Sequence, residues 1–269
     1  MILKLLMVKY FSIIVLTLWV LMTVFAGLLN LDSVTINLRQ ILQPPSFELI
    51  LGADELGRGV FSRLIEGARI SFMVAFTVVG ISAFFGTLVG TIACYFGGKW
   101  EQFLVAVIDL FLAFPGILLA IAIAAILGPS IGHLILALCI VGWVGYARLA
   151  RAQVLSLKNR EHISAAKALG TSHWRIIGQH LLPLLLAPLI VEATFGIAGM
   201  VIAEAGLSFL GLGVQPPISS WGSMIKEGAN FMLVAPHLVL APGIALMLVV
   251  FSVNLLGDQL RDYLNVKSI

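Results

Sequence analysis

Three carboxylates, Asp109, Glu192 and Glu204, lie inside long apolar runs. An ionised carboxylate in hydrocarbon costs several kcal/mol, so each must face protein, water or a cation. Asp109 and Glu192 fall about two helical turns inside the nearer polar boundary, where pairing with neighbouring helices or with boundary Lys and Arg is the expected role. Glu204 lies about two-thirds of the way across its run and is the candidate for lining a solute pathway. Glu192 and Glu204 are twelve residues apart, about 18 Å along a helix and 120° around it, so they cannot chelate one ion together. The five histidines form no cluster with carboxylates in the apolar runs, so no metal centre is expected. Cys94 and Cys139 both sit in apolar runs as buried, inert thiols. A GxxxxGK[ST] phosphate loop is absent, so ATP binding of that kind is not expected of this chain. No basic patch with interleaved aromatics points to nucleic acid.

The other chemistry-bearing stretch is Glu161 to Pro183, EHISAAKALGTSHWRIIGQHLLP, a charge-bearing run between apolar segments. Ser164, Ala165 and Ala166 put small side chains on a helix, so another surface can come close. Gly170 is placed to stop that helix in the left-handed conformation. Thr171 or Ser172 can cap the next helix, which carries Trp174, Ile176, Ile177, Leu181 and Leu182, with His180 before Pro183, which is expected to end it. A helix, sharp turn and helix with exposed apolar and basic groups suits insertion into a groove on a soluble partner. The plainer alternative is a solvated basic loop that only sets topology.

The elements that must hold these groups are membrane spans. Hydrophobic residues make up 60% of the 269 and charged residues 11%, with a mean hydropathy of +1.08. That is too little charge to cover a soluble protein of this length. Apolar runs of about 20 residues predict six spans at approximately 10–31, 70–96, 102–127, 131–149, 184–213 and 234–257. The first follows Lys4 and Lys9 without a small-residue cleavage site and is read as a retained helix rather than a signal peptide. With both ends on one side, eleven of the 16 Lys and Arg residues fall on that side and five on the other, which places both termini and the 161–183 loop in the cytoplasm. The outer five, Arg39, Arg58, Arg63, Arg69 and Lys226, have acids nearby, among them Asp54, Glu55 and Glu227. Phe61, Leu64, Ile65 and Ala68 fall on one helical face, which predicts a short amphipathic helix before the second span, either at the interface or packed on protein. Ser219 and Ser220 are placed to cap a short outer helix bearing Trp221, Met224 and Ile225. Glu192, Gly196, Gly199, Ala203 and Gly206 make a small-residue stripe suited to close helix packing.

Ala165-Ala166, Gly170 and His180-Leu181-Leu182-Pro183 at these spacings resemble the "EAA" loop of bacterial ABC-importer permeases. LGADELGRG (51–59), YFGG (95–98), AFPGILLAIA (113–122), GWVGYARLARAQVLSLKNRE (142–161), GLSFLGLGVQPP (206–217), SWGSMI (220–225) and NLLGDQLRD (254–262) are similar to the C-type permease of dipeptide, oligopeptide and nickel importers. The likeness covers nearly the whole chain past the first span. Ser164 stands where the loop motif has its first Glu, and Ala53 and Gly59 depart from the pattern of the outer segment.

The resemblance implies an all-α, polytopic type I ABC-importer permease fold with six transmembrane helices in the bacterial inner membrane. Residues 1–69 would hold the first span and an outer connection, and 70–269 a five-helix core with a coupling loop at 150–183. Ser164, Ala165, Ala166, Gly170, Thr171, Trp174, His180 and Pro183 would then serve ATPase coupling. The implied partners are a second permease forming a heterodimer, two cytoplasmic ATPases carrying ATP and Mg, and an extracytoplasmic solute-binding protein. The chain itself would be a pore-forming subunit with no catalytic residues and no cofactor of its own. Peptide is the expected cargo, with nickel or another small solute as the alternative. An autonomous proton- or cation-coupled carrier that uses the intramembrane acids is the rival from another class.

Overall fold

The computed structural model describes residues 2–28 and 32–266, and within them the regular structure is helical. In chain order the helices are α1 (Ile2–Leu28), α2 (Val60–Phe96), α3 (Gly98–Leu112), α4 (Gly116–Leu127), α5 (Ile131–Leu157), α6 (Glu161–Ala168), α7 (His173–Phe209), α8 (Trp221–Ala229) and α9 (His237–Val266). Among the described residues, α2, α5, α7 and α9 are long and apolar enough to cross a membrane, and α3 with α4 make a fifth candidate bent by 84°. The apolar part of α1, Tyr10–Ala26, is shorter, and positions 29–31 of the first expected span lie outside the described residues. Among the described residues there are thus four to five candidate spans, against the six expected.

Four boundaries differ from expectation, each for a local reason. The continuous span at 102–127 is broken at Ala113–Pro115, because Pro115 has no N–H to give and turns the preceding residue out of the helical region. The short amphipathic helix before the second span is not separate: α2 starts at Val60 and runs 37 residues without a break. Leu64, Ile65 and Ala68 of that segment are buried on protein, while Phe61 stays exposed. α5 continues to Leu157, carrying Arg148 and Arg151 within the helix. Pro183 does not end its helix, since the turn Ile176–Leu181 is widened to π geometry and the Leu182 N–H reaches the Ile177 carbonyl. A widened turn accommodates the N–H that Pro183 lacks.

α2 is the helix on which the others pack. Along its middle it lies directly on the α5 backbone: a Cβ at Gly86 would collide with the Trp143 carbonyl, and one at Gly90 with that of Ala147. On its N-terminal half two buried indoles brace it. Trp19 of α1 donates from Nε1 to the Ala68 carbonyl (3.1 Å), and Trp221 of α8 donates to the Leu64 carbonyl (3.0 Å). Both carbonyls use their second lone pair. α8 is set by a capping box in which the Ser220 hydroxyl accepts from the Ser223 N–H while Ser223 accepts from the Ser220 N–H, as the Ser219-Ser220 signal led one to expect.

Gly90→Val is predicted to destabilise the chain by about 1–3 kcal/mol through overpacking against the α5 backbone. The check is a lowered thermal midpoint of the detergent-purified protein. Gly80→Ala, where nothing lies within 4 Å of the added carbon, should leave the midpoint unchanged or slightly raised.

Candidate functional site

The 161–183 segment folds as helix, turn and helix. Its turn is a complete Schellman motif: the Gly170 N–H donates to the Lys167 carbonyl and the Thr171 N–H to the Ala166 carbonyl, both at 3.0 Å. Gly170 has φ +77°, a conformation that costs a side-chain-bearing residue energy and glycine none. Ser172 takes the N-cap position of α7 in extended backbone, although its hydroxyl makes no capping bond.

One face of this segment is glued to the protein and the other is bare. Ile163, Ala166, Ile176, Ile177 and Leu181 are buried in a cluster with Val154 and Leu157 of α5. Ser164, Ala165, Gly170, Pro183 and Arg175 are exposed, Thr171 and His180 are half-buried, and Leu169 and Trp174 stand out at 86% and 64% exposure. Ala166 therefore differs from the reading of two adjacent small residues offered outward. It faces inward and lets α6 sit down on α5, while Ala165 remains on the open face.

The three intramembrane acids are held apart. Asp109 is exposed on α3 beside an open cleft of about 450 Å³ that Glu101 and Arg151 also line. The pairing expected of it with a basic boundary residue is not made among the described residues. Arg151 pairs instead with Glu101, at 2.8 Å, in the first turn of α3. Glu192 is exposed, with one carboxylate oxygen 3.7 Å from where a Cβ at Gly145 would lie, so it faces α5. Glu204 is fully buried and accepts hydrogen bonds from Ser71 Oγ of α2 and Ser208 Oγ, each at 2.8 Å. In this chain it looks into α2 rather than onto an open path, and both its oxygens are satisfied there.

The acids near Arg58 and Arg63 in the sequence join Glu227 of α8 in one ion network, an assembly that sequence proximity does not reveal. Arg58 Nε donates to Asp54 (2.7 Å) and Arg63 donates to the same Asp54 oxygen and to Glu227 (2.7 Å). Arg58 also reaches Glu55 at 3.1 Å and Glu227 at 3.4 Å. Asp54, Arg58 and Arg63 are buried. The network ties the 51–59 loop and the start of α2 to α8. Burial, first, and then the neighbouring Asp54 and Glu227 charges push the Glu55 carboxyl above the usual carboxylate range. Asp54, Glu55 and Glu227 carry oxygens close enough together to hold a metal ion, but Arg58 and Arg63 already supply the positive charge.

The family model for the binding-protein-dependent transport system inner membrane component matches residues 82–267. The chain belongs to that family. Among curated permeases it is 45% identical over 258 residues to the dipeptide transport system permease protein DppC of Alkalihalophilus pseudofirmus, covering 95% of this chain and 84% of the relative. It is 43% identical over 223 residues to the glutathione transport system permease protein GsiD of Escherichia coli, covering 83% of this chain and 74% of the relative. Among solved structures, a chain of the inward-facing MetNI methionine ABC transporter superposes with a TM-score of 0.62 at 18% identity, covering 76% of this chain and 97% of that one. At that identity the likeness speaks for the permease fold alone. It supports the reading of this chain as a helical, multi-pass membrane component.

Removing one partner of a buried ion network leaves the others uncompensated. Arg63→Met is therefore predicted to destabilise this permease by about 3–5 kcal/mol, and Arg58→Lys by less. Thermal unfolding in detergent, monitored by aggregation onset, reads the order.

Proposed function

We propose that this chain is the membrane-spanning permease subunit of an ATP-binding-cassette importer that carries peptides inward across the bacterial inner membrane. The observation that carries the reading is the α6–α7 turn, with one face buried on α5 and the opposite face, Ser164, Ala165, Leu169, Gly170 and Trp174, left bare. A rigid exposed helix end of this kind suits the groove of a soluble subunit, and the names of the permease relatives favour a peptide cargo. In this reading α1 completes six spans, both termini and the α6–α7 loop are cytoplasmic, and residues 70–269 form the core. The complex holds two ATPases with ATP and Mg, one docked on this bare face and the other on the second permease, and ATP hydrolysis belongs to them.

A second permease covers the groove of about 380 Å³ between α4, α5 and α7, where Ile202 is exposed and a Cβ at Gly199 would meet nothing. A solute-binding protein delivers cargo from outside. Asp109 and Glu192, both exposed, are the polar groups available to the translocation face, whereas Glu204 acts as an internal tie between α7 and α2. Nickel would call for a histidine and carboxylate cluster, and the described spans supply none.

The test separates the bare face from the buried one. Ala165→Arg should lower co-purification of the ATPases by about tenfold, a loss of ~1.4 kcal/mol, with the chain still inserted at its usual level and its thermal midpoint kept. Ala166→Arg should instead lower the midpoint, because it drives a charge into the α5 contact. Unchanged ATPase recovery with Ala165→Arg would remove the docking assignment.

A further inference from the structure

The docking loop is joined by the chain to α5 on one side and α7 on the other, but to α2 only by side chains. Those side chains converge on three consecutive residues at the inner end of α2. Lys158 Nζ, just before α6, donates to the Cys94 carbonyl at 3.1 Å. Lys167 Nζ of α6 stands 5.4 Å from the centroid of the Tyr95 ring. The Tyr95 hydroxyl and His173 Nδ1 are hydrogen-bonded at 3.0 Å. The His173 ring is edge-on to Tyr95 and Phe96, with centroids 5.7 Å away in each case, and Phe96 meets Trp174 at 6.1 Å.

These contacts differ in what they can transmit. Ring packing and cation–π attraction change gently as the partners slide, so they hold two surfaces together without fixing their register. A hydrogen bond weakens steeply with distance and angle, so it does fix register. Among the described residues, Tyr95 to His173 is the hydrogen bond that joins α2 to the 161–183 segment. It sits where leverage is greatest. His173 is the first residue of α7, two residues after the turn and beside the bare face, and Tyr95 is the penultimate residue of α2. From there α2, a helix of 37 residues and so about 55 Å long, leads toward the ion network at Arg63 near its other end. α7 offers a softer route, since its first turns are interrupted by the π turn Ile176–Leu181.

We infer that Tyr95 and His173 are the positioning pair through which displacement of the docking loop is delivered to α2, an inference that rests on the reading of that loop as the ATPase-docking element. Without the bond the ATPases still bind and turn over, and the rings still touch. What is lost is the fixed register between loop and α2, so ATP is hydrolysed with less solute moved.

The experiment uses the complete importer purified and reconstituted in proteoliposomes, with radiolabelled dialanine as the transported probe. ATPase stoichiometry, ATP hydrolysis and dialanine uptake are measured on the same preparation. Tyr95→Phe keeps the ring and removes the hydroxyl. Dialanine moved per ATP should fall by about fivefold, the effect of one hydrogen bond of ~1 kcal/mol, with bound ATPase unchanged and ATP hydrolysis within about twofold of wild type. His173→Phe should give the same fall, the double variant no further fall, and His173→Asn, whose Oδ1 takes the place of Nδ1, should retain coupling with Tyr95 present. An unchanged ratio in Tyr95→Phe would overturn the inference, as would a fall that tracks loss of bound ATPase, which would mark the pair as an assembly contact. A wild-type chain that purifies without ATPase would overturn the docking reading and this inference with it, and that failure is recognised before any ratio is taken.

Discussion

The backbone contact between α2 and α5 is the constraint on which the other elements depend. In a bilayer, helices gain little from hydrophobic burial against one another, because the lipid is as apolar as the partner. What draws them together is close van der Waals approach, and Gly86 and Gly90 allow it by leaving no Cβ between α2 and the carbonyls of Trp143 and Ala147. With α2 and α5 locked, the remaining helices have fixed surfaces to meet. α1 closes on α2 through Trp19, α7 through Glu204 and Ser71, and α8 through Trp221.

The two ends of α2 then carry different chemistry. The N-terminal end is built from buried charge. Asp54, Arg58, Arg63 and Glu227 pair with one another, Ser219 donates to Glu66, and the Ser220 capping box fixes α8. A buried network of this kind is costly to break at any single member, so it favours one arrangement. The C-terminal end is built from rings, lysines and one exposed hydrogen bond, beside a helix pair whose other face is bare. Each of these contacts is individually weaker than a buried ion pair.

What could be read from the sequence was local chemistry. Gly170 reads as a helix stop because the left-handed conformation selects glycine, and Ser220 reads as a cap because a serine before an apolar helix has a ready donor three residues on. The helical class and most span positions follow from the length of the apolar runs. What escaped was long-range or depended on orientation. Besides Ser208 on its own helix, Glu204 is held by Ser71, 133 residues away, so no helical wheel could show that the carboxylate turns into α2. The face Phe61, Leu64, Ile65 and Ala68 has the same periodicity whether it meets lipid headgroups or Trp221, and only the fold decides. Of the small-residue stripe, Gly196 does meet Tyr146 closely, but Gly199 and Gly206 lie open. Prolines were ambiguous in a different way. Pro115 breaks its span by 84°, while Pro183 is absorbed by a π turn, and the surrounding residues name neither outcome in advance.

The most direct test of the account is uptake of a labelled dipeptide into proteoliposomes that hold this chain with its second permease, assayed with and without the ATPases and the binding protein. The account predicts accumulation only when ATPases, ATP and binding protein are all present, with no response to an imposed proton or sodium gradient. Accumulation driven by such a gradient in vesicles that contain no ATPase would contradict it, and would make the chain a carrier in its own right.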